Sequence, residues 1–358
     1  MRKLTVLITS LMLTGALATT VSAVTVSQAA VLFLMISPGA RPGGMGESFV
    51  AVADDATATW WNTAGLGFQR GLKVSAMHSQ WLPQFGFSDL YYDFLGSTMF
   101  IPSLGGTVGG NIIFLNMGSQ PWTDETGASL GVIESYDVAV SLNYGTQLSP
   151  NLAIGIGGKF IYSNLATGVT VGSQTAEAGK AGALDLGVLY KAQFTPALST
   201  NLGASLTNMG NKIFYADQAQ ADPLPTNLKM GYSLRYAVDT HNELSLNTDL
   251  NKPMYHPDGS PIEGMLRSWF PTGVKDEFHS WVYNMGTEYW YGTDLNRLGS
   301  AAFGLRAGYW RDIAGHIASV TYGASVKIST FVFDFSYETA GKNHPITDTM
   351  RFSLAFEM

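Results

Sequence analysis

The sequence predicts an all-β fold, a transmembrane antiparallel β-barrel of about 14 strands. The first observation is a period-two alternation of apolar with small or polar residues, which places one kind on each face of a strand. The segment FVFDFSYE at 331–338 shows it, since its aromatic residues alternate with Val, Asp, Ser and Glu. The second is composition: 13% of the residues are charged and 40 of 358 are glycine, whereas a soluble domain carries about 25% charged residues. The third is that no run of about 18 apolar residues follows the N-terminal stretch, so no transmembrane helix is available.

The N-terminus has the features of a cleaved signal peptide. Arg2 and Lys3 precede an apolar stretch, residues 4–18, and small residues up to Ala23 occupy the positions that a signal peptidase reads. Residues 1–23 are therefore predicted to be removed on export, and cleavage after Ala30 is the alternative. Because the chain has no cysteine, the sequence excludes both a lipoprotein signal and a disulfide.

The net charge excludes nucleic acid as a partner. Two of the 20 basic residues lie in the predicted signal peptide, which leaves 18 basic and 27 acidic residues, a net charge of −9. A protein that binds nucleic acid needs an excess of basic residues to neutralise phosphates. No nucleic-acid partner is expected for such a chain.

About fourteen segments alternate in this way, and a tilted membrane strand needs about 9–11 residues. An even number places both chain ends on the same side of a closed barrel. The connections also alternate, because short ones such as 149–151 and 238–242 take turns with longer ones such as 163–180 and 251–279. In outer-membrane barrels the short turns are periplasmic and the long loops are extracellular. The predicted strands begin near residues 71, 88, 105, 136, 151, 181, 198, 226, 242, 280, 300, 316, 330 and 349.

One parity of these strands is rich in Phe, Tyr and Leu and is predicted to face the lipid of an outer membrane. The other parity carries Gly, Ala, Ser and charges of both signs, which suits an enclosed wet lumen where opposite charges pair. In a soluble β-protein, the alternative fold, the apolar parity would point into the core instead. The charged residues predicted to face the lumen are Asp185, Lys229, Arg235, Glu243, Asp249, Glu288, Arg306, Lys327, Asp334 and Arg351.

Enzyme and cofactor chemistry find little support in the motifs. The glycines of RPGGMGESFV at 41–50 lack the Lys-Ser/Thr that a phosphate loop needs. Asp54 and Asp55 are sequence neighbours that need not share a face, so a cap or turn role is the simpler interpretation. The pattern G-x-S-x-G at 127–131 has no strand before it and no helix after it, and the six histidines show no metal-ligand spacing. The chain is predicted to be no enzyme and to hold no metal or cofactor.

Residues 37–66 read SPGARPGGMGESFVAVADDATATWWNTAGL. This stretch is similar to the N-terminal segment of the PorV/PorQ family, within the wider FadL-like superfamily of outer-membrane proteins. That segment reads roughly GARAxGMG(G/E)AFVAxADDA(S/T)AxxWNPAGL. Thr63 stands where the family usually has proline, and the rest of the chain agrees in pattern more than in wording. The matching positions are Gly39, Ala40, Arg41, Gly44, Met45, Gly46, Phe49, Val50, Ala51, Ala53, Asp54, Asp55, Ala56, Trp61, Asn62, Ala64, Gly65 and Leu66.

The resemblance implies a barrel of about fourteen strands, at 69–358, with residues 24–68 folded inward as a hatch. Asp54, Asp55 and Asn62 are then expected to meet lumen cations such as Arg235, Arg306 or Arg351, and the indoles of the hatch to pack against the wall. Direct contact of these groups with cargo is the alternative. The residues predicted for the hatch and lumen are Arg41, Gly44, Gly46, Asp54, Asp55, Trp61 and Asn62.

A short amphipathic helix is predicted in the long loop, within SPIEGMLRSWFP at 260–271. Ser260 can cap it, Pro261 takes its first position and Glu263 completes a capping box. By loop parity the helix is extracellular, where its apolar stripe either covers the barrel mouth or receives a hydrophobic ligand or protein partner. The candidate docking residues are Ile262, Met265, Leu266, Trp269 and Phe270.

Two functions remain open. The resemblance to PorV-like members implies an outer-membrane component of type IX secretion, which binds the C-terminal signal domains of exported cargo and passes them to a surface attachment complex. The FadL-like members carry long-chain fatty acids or other hydrophobic compounds through a hatch and a lateral opening. Both branches share the hatch motif. The wording of residues 44–62 and the moderate chain length favour the first function, in the outer membrane of a Gram-negative bacterium, with hydrophobic transport as the alternative.

Overall fold

The computed structural model describes residues 29–123, 126–171, 174–255, 260–269, 274–293 and 301–358. Its main element is one closed antiparallel barrel of 14 strands, so the predicted fold class is confirmed. The predicted signal peptide, residues 1–23, lies outside the described residues. The barrel strands are β1 (Leu72–Gln80), β2 (Tyr91–Ile101), β3 (Gly106–Thr123), β4 (Ser129–Ser149), β5 (Leu152–Asn164), β8 (Gly179–Gln193), β9 (Leu198–Gly210), β10 (Asn227–Ala237), β11 (Asn242–Pro253), β12 (Val282–Gly292), β13 (Ala302–Asp312), β14 (Ile317–Ile328), β15 (Phe331–Thr339) and β16 (Thr349–Glu357), while β6 (Thr170–Val171) and β7 (Gln174–Thr175) pair separately.

Each barrel strand pairs with its neighbours in sequence order, and β1 closes the ring on β16. Most predicted starts fall within three residues of the observed ones. The largest departure is β4, which begins at Ser129 rather than near 136. There β3 and β4 continue as a two-stranded ribbon beyond their outer neighbours, with Ser119 paired to Glu134 and Thr123 to Ser129. Both faces of this ribbon meet water, so it carries no alternation for the sequence to show.

Short connections gather at one end of the barrel, which we call the turn end, and long connections at the other, the loop end. Three connections depart from that rule: 124–128 and 313–316 are short at the loop end, and 293–301 is long at the turn end. The remaining turn-end connections are 102–105, 150–151, 194–197, 238–241 and 329–330. Strand β1 begins and strand β16 ends at the turn end, as an even strand count requires.

The apolar residues of each strand face outward. Phe333 and Phe352, for example, are 53% and 54% exposed, whereas Asp334 and Arg351 beside them are buried. Near the loop end, outward rings on five consecutive strands form a ladder with centroids 5.7–6.1 Å apart, running from His78 to Tyr162. A girdle of aromatic residues at this level is typical of the membrane interface.

Helices are short and occur only between strands or before the barrel within the described residues. No described helix has the length and apolar character needed to cross a membrane. The α-helices are Ala40–Gly44, Ala58–Trp61, Pro261–Arg267 and Val274–His279, and the 3-10 helices are Leu32–Met35, Thr63–Phe68, Pro83–Phe85, Pro102–Leu104 and Gln218–Gln220.

Candidate functional site

Residues 29–68, which we call the lumen segment, pack against inward-facing residues of the barrel wall. The backbone N–H of Ala40 donates to Ser353 Oγ of β16 at 2.9 Å, and that of Gly46 donates to Thr321 Oγ1 of β14 at 2.9 Å. Further round the wall, one carboxylate oxygen of Asp249 accepts from two consecutive backbone N–H groups, at 2.7 and 2.8 Å. The wall thus satisfies backbone donors of a segment that has little regular structure of its own.

Glycines on the wall let the two backbones come this close. A Cβ on Gly308 of β13 would lie only 2.0 Å from the backbone nitrogen of Gly46. A Cβ on Gly231 of β10 would lie 2.8 Å from the backbone nitrogen of Ala51. Ten strands place a glycine against the lumen segment, and a Cβ on each of these glycines would lie within 3.2 Å of a lumen-segment atom. They are Gly96, Gly109, Gly145, Gly155, Gly187, Gly203, Gly231, Gly286, Gly308 and Gly323. The sequence showed that the inward parity is rich in glycine, but not that these glycines receive another backbone.

Arg41 is the centre of a charge cluster inside the barrel. Its Nη1 lies 2.6 Å from Asp54 Oδ1 and 3.7 Å from Asp55 Oδ2, and its Nε and Nη2 make a two-pronged contact with Glu288 at 2.8 and 2.9 Å. Such planar, paired contacts suit guanidinium and carboxylate geometry. Arg306 bonds the same Glu288 carboxylate at 2.7 Å, so a lumen-segment cation and a wall cation share one acid.

Protonation in this cluster follows from burial and charge together. Burial alone would lower the pKa of Arg41, but the charges of Asp54 and Glu288 raise it well above its ordinary value. Burial raises the pKa of Asp55 to about 6, because Arg41 offsets the burial only in part. Burial would also raise the pKa of Asp54, yet Arg41 and Lys73 outweigh it and lower that pKa. The two adjacent carboxyl groups are therefore driven in opposite directions.

The indoles and the amide of the lumen segment have structural partners. Trp61 Nε1 donates to the Pro38 carbonyl at 3.1 Å, and Trp60 and Trp61 meet edge to face with ring centroids 4.7 Å apart. Asn62 Nδ2 donates to the carbonyls of Val50 and Val188, at 3.0 and 3.1 Å, which ties the lumen segment to itself and to β8. Its Oδ1 accepts from the N–H of Ala64, so it also caps the helix that follows.

The half of the lumen nearer the loop end is filled by apolar side chains. Phe33 and Leu34 are 2% and 1% exposed, and the N–H of Ala30 donates to the carbonyl of Pro223 in a loop-end connection at 3.1 Å. These residues occupy the space that a hydrophobic small molecule would need. The wall and loop residues of the same cluster include Met77, Tyr92, Phe94, Ile113, Leu115, Ile161, Ile213 and Leu224.

The ten charged residues predicted for the lumen all lie at strand positions that face inward. Seven are buried, and the other three, Arg235, Glu243 and Lys327, lie beside open space near the turn end. The expected pairing was wrong, because Asp54 and Asp55 meet Arg41 rather than Arg235, Arg306 or Arg351. Those cations already have other carboxylate partners, on the barrel wall and, for Arg351, also in the lumen segment. Their partners are Glu243 for Arg235, Glu288 and Asp334 for Arg306, and Glu338 and Glu47 for Arg351.

Several inward charges were missed by the sequence reading. Lys159 pairs with Asp185 at 3.1 Å, with both side chains 2% exposed. Glu338 accepts from Arg351 at 2.8 Å. Lys229, which was predicted, has its Nζ 3.3 Å from the centroid of the Trp60 ring, a cation–π contact that the sequence did not indicate. Strand parity alone would have placed Lys159 and Glu338 on the inward face. Among the residues that the structure describes, no group of three or more His, Cys, Asp and Glu is placed to hold a metal ion.

A cavity of about 300 Å³ lies between the lumen segment and the turn end. Its walls come from the lumen segment and from strands on both halves of the barrel. Charged side chains of both signs line it, together with a few apolar ones. The charged residues are Arg41, Asp54, Asp55, Lys73, Lys191, Arg235, Glu243, Glu288, Lys327, Asp334 and Glu357.

The predicted loop helix is present at Pro261–Arg267, and Ser260 Oγ accepts from the N–H of Glu263 as a cap. The reciprocal half of the capping box is not formed, because the Glu263 carboxylate bonds Arg267 instead. The apolar stripe divides: Ile262 and Leu266 are 68% and 70% exposed, whereas Met265 and Trp269 are partly buried. Phe270 lies outside the described residues.

The base of this loop is anchored by a buried ion pair. Lys252 Nζ lies 2.8 Å from Glu277 Oε1, with the two side chains 1% and 6% exposed. The Trp281 indole donates to the same Glu277 oxygen at 3.0 Å and packs edge to face on Trp269, with centroids 6.2 Å apart. The exposed apolar side chains of the helix are thus presented from a fixed base.

Comparison with known proteins gives one family match and several structural likenesses. The family model of the type IX secretion system protein PorV matches residues 19–258. The toluene transporter TodX of P. putida has a TM-score of 0.53 at 8% identity and covers 90% of this chain and 99% of that chain. The toluene transporter TbuX of Ralstonia pickettii has a TM-score of 0.49 at 14% identity, with 89% and 97% covered. At such identities the TodX likeness shows the fold alone, and no curated protein matches.

Proposed function

Because the chain belongs to the PorV family, whose model matches more than half of it, we propose that this outer-membrane component of type IX secretion binds exported cargo at its loop end. In the proposal the C-terminal signal domain of the cargo docks on the loop helix Pro261–Arg267. The lumen segment serves as a fixed plug that closes the barrel. No catalytic step, metal or cofactor takes part.

The single observation that carries the proposal is the pair of exposed apolar side chains on that helix. Ile262 and Leu266 are one helical turn apart, and their side chains are 68% and 70% exposed. Their helix is capped at Ser260 and rests on the buried Lys252–Glu277 pair. An apolar pair held outward on a rigid base is a feature of protein-binding surfaces rather than of a mobile loop.

The packing of the lumen supports a role at the surface. Phe33 and Leu34 fill the loop-end half of the lumen, and wall glycines on ten strands pack against the lumen segment. A hydrophobic compound could cross only after that packing had been broken. Hydrophobic transport, the alternative function, therefore needs a large rearrangement that cargo docking does not.

The experiment is a pull-down from detergent-solubilised outer membrane with a tagged full-length chain. The double variant Ile262→Ser with Leu266→Ser is expected to lose at least about nine-tenths of the captured cargo signal domains, since truncated central anchors commonly cost 2 kcal/mol or more. Glu263→Gln on the same helix keeps the apolar pair and is expected to capture normally. Equal capture by all three chains contradicts the proposal, and recovery of bound long-chain acid without protein supports transport.

The division of the chain is part of the same proposal. Residues 1–23 act as the export signal, residues 24–68 as the plug and residues 69–358 as the barrel, and the matched family segment begins inside this predicted signal. N-terminal sequencing of the protein from outer membranes is expected to start at Val24. A start at Val31 would favour the alternative cleavage after Ala30.

A further inference from the structure

The turn-end cavity lies on the opposite side of the lumen segment from the loop helix, so it has no part in cargo docking. With about 300 Å³, it is at the small end of the volumes of small-molecule sites, which run from about 300 to 1,000 Å³. In an outer-membrane barrel the end with short turns faces the periplasm. The cavity is therefore reached from the periplasm.

The inner wall of the cavity has more carboxylates than cations. Four carboxylates share the two guanidinium groups of Arg41 and Arg306. One of them is accessible, because the Asp54 side chain is 47% exposed and lines the cavity. The inner wall therefore attracts a positive group. The four carboxylates are Asp54, Asp55, Glu288 and Asp334.

The rim nearer the turn end has more cations than carboxylates. Lys73 and Lys327 share the single carboxylate of Glu357, at 3.3 and 3.4 Å. Lys191 has its Nζ 4.4 Å from the centroid of the Phe68 ring, and among the described residues it forms no ion pair. The rim therefore attracts a negative group, and Lys191 is the cation best placed to receive it.

The strands set the distance between these two layers. Ser325 of β14 bonds Asp334 of the inner wall, and Lys327 lies two residues further toward the turn end. At about 3.3 Å per residue, two residues place Lys327 about 7 Å from the level of Asp334, whereas Lys73 Nζ reaches back to the Asp54 carbonyl at 2.7 Å. With Arg306, which bonds Glu288 of the inner wall, the cavity has six carboxylates and six cations. It therefore has no net preference for an anion or a cation.

We propose that the turn-end cavity binds a short zwitterionic peptide of about two residues, with its ammonium group at Asp54 and its carboxylate at Lys191. An extended chain spans about 3.3–3.6 Å per residue, so a dipeptide matches the spacing of the two layers. Val52, Trp290 and Val332, which also line the cavity, supply contacts for small apolar side chains. A free amino acid is too short to reach both layers.

Calorimetric titration of the detergent-solubilised full-length chain with alanyl-alanine tests the proposal. The free dipeptide is expected to bind, and its N-acetylated and C-amidated forms to bind at least about tenfold more weakly. Lys191→Gln is expected to weaken binding of the free dipeptide about tenfold and to leave the C-amidated form unaffected. Asp54→Asn is expected to do the same for the free form while leaving the N-acetylated form unaffected.

Lys180→Gln is the matched control, because Lys180 lies on the same strand, β8, but is exposed on its outward face. It is expected to bind the free dipeptide normally. Absence of binding, equal binding of the blocked forms, equal loss in the control, or tighter binding of inorganic phosphate than of the dipeptide would each overturn the inference. Cargo capture does not depend on this cavity, so Lys191→Gln is expected to capture cargo normally, and the two proposals fail separately.

Discussion

Missing Cβ atoms decide how closely the wall and the lumen segment approach each other. At Gly308 a methyl group would meet the backbone nitrogen of Gly46. The ladders to β12 and β14 hold Gly308 from both sides, so it cannot withdraw. Gly308→Ala is expected to lower the free energy of unfolding by about 1–3 kcal/mol, measured by urea titration in lipid vesicles.

A matched control for this substitution lies on the outer wall. A Cβ on Gly158 of β5 meets nothing within 4 Å. Gly158→Ala is expected to change the free energy of unfolding by no more than about 0.5 kcal/mol in the destabilising direction. Similar losses in the two variants would mean that the close approach at Gly308 contributes nothing particular to stability.

Residue positions were more predictable than residue partners. Parity placed Arg306, Asp334 and Arg351 on the inward face, since it depends only on counting by two along a strand. Their partners depend on the register between strands, which one sequence does not contain. Asp54 and Asp55 were therefore assigned to wall cations, although Arg41, thirteen residues before Asp54, is their partner.

At the scale of elements, the charge cluster of the lumen segment makes two adjacent acids respond oppositely to pH. Asp55 has its pKa raised from 3.8 to about 6 by burial, so folding favours its protonated form. The stability it provides is complete below 3.8 and lost as pH rises through about 6. Asp54 has a lowered pKa despite burial, because of Arg41 and Lys73, so its stability is present above its ordinary pKa and lost on acidification.

The ionisation of Asp55 is expected to lower the free energy of unfolding of the unsubstituted protein between about pH 4 and pH 6. Asp55→Asn is expected to remove this decrease and to stabilise the barrel at pH 7 by on the order of 2 kcal/mol. Asn keeps the oxygen that accepts from the N–H of Thr57 at 2.8 Å. Asp54→Asn is the control with the opposite sign and is expected to reduce stability above about pH 4. The measurement is a series of urea titrations across this pH range. If both variants changed the pH dependence of the free energy of unfolding in the same direction, the opposite pKa shifts of Asp54 and Asp55 would be contradicted.

Elements with one face in lipid and one in the lumen were predictable, and elements without such a contrast were not. The starts of β9, β11 and β16 agree with the sequence pattern to the residue. The ribbon of β3 and β4 beyond the barrel escaped it, since water surrounds both faces. The loop helix was found through its cap and its apolar spacing, but the pattern could not tell which apolar residues would be buried.

At the scale of the whole molecule, the sequence predicted a closed barrel but not the path of the chain inside it. Alternation distinguishes inward from outward and does not give height along the barrel. The lumen segment meets β16 and β14, then β11 and β10, and then β8, β5 and β4 before it joins β1. This path around the wall explains why inward glycines occur on so many strands.

A cross-link tests whether that arrangement is permanent. The N–H of Ala40 lies 2.9 Å from Ser353 Oγ, which suits a disulfide, whose Cα atoms are about 4.4–6.8 Å apart. The chain has no cysteine of its own, so Ala40→Cys with Ser353→Cys creates a single pair. Oxidation in outer membranes is expected to join the two residues, to change electrophoretic mobility, and to leave cargo capture unchanged because a fixed plug need not move.

Ala40→Cys with Leu354→Cys is the matched control, since Leu354 is on the outward face of the same strand and is 44% exposed. This pair is expected to stay reduced, because the two side chains lie on opposite sides of the wall. If the cross-linked chain loses cargo capture and a reductant restores it, the lumen segment moves during function. A gated path for hydrophobic compounds would then fit the molecule better than a closed barrel with its binding surface at the loop end.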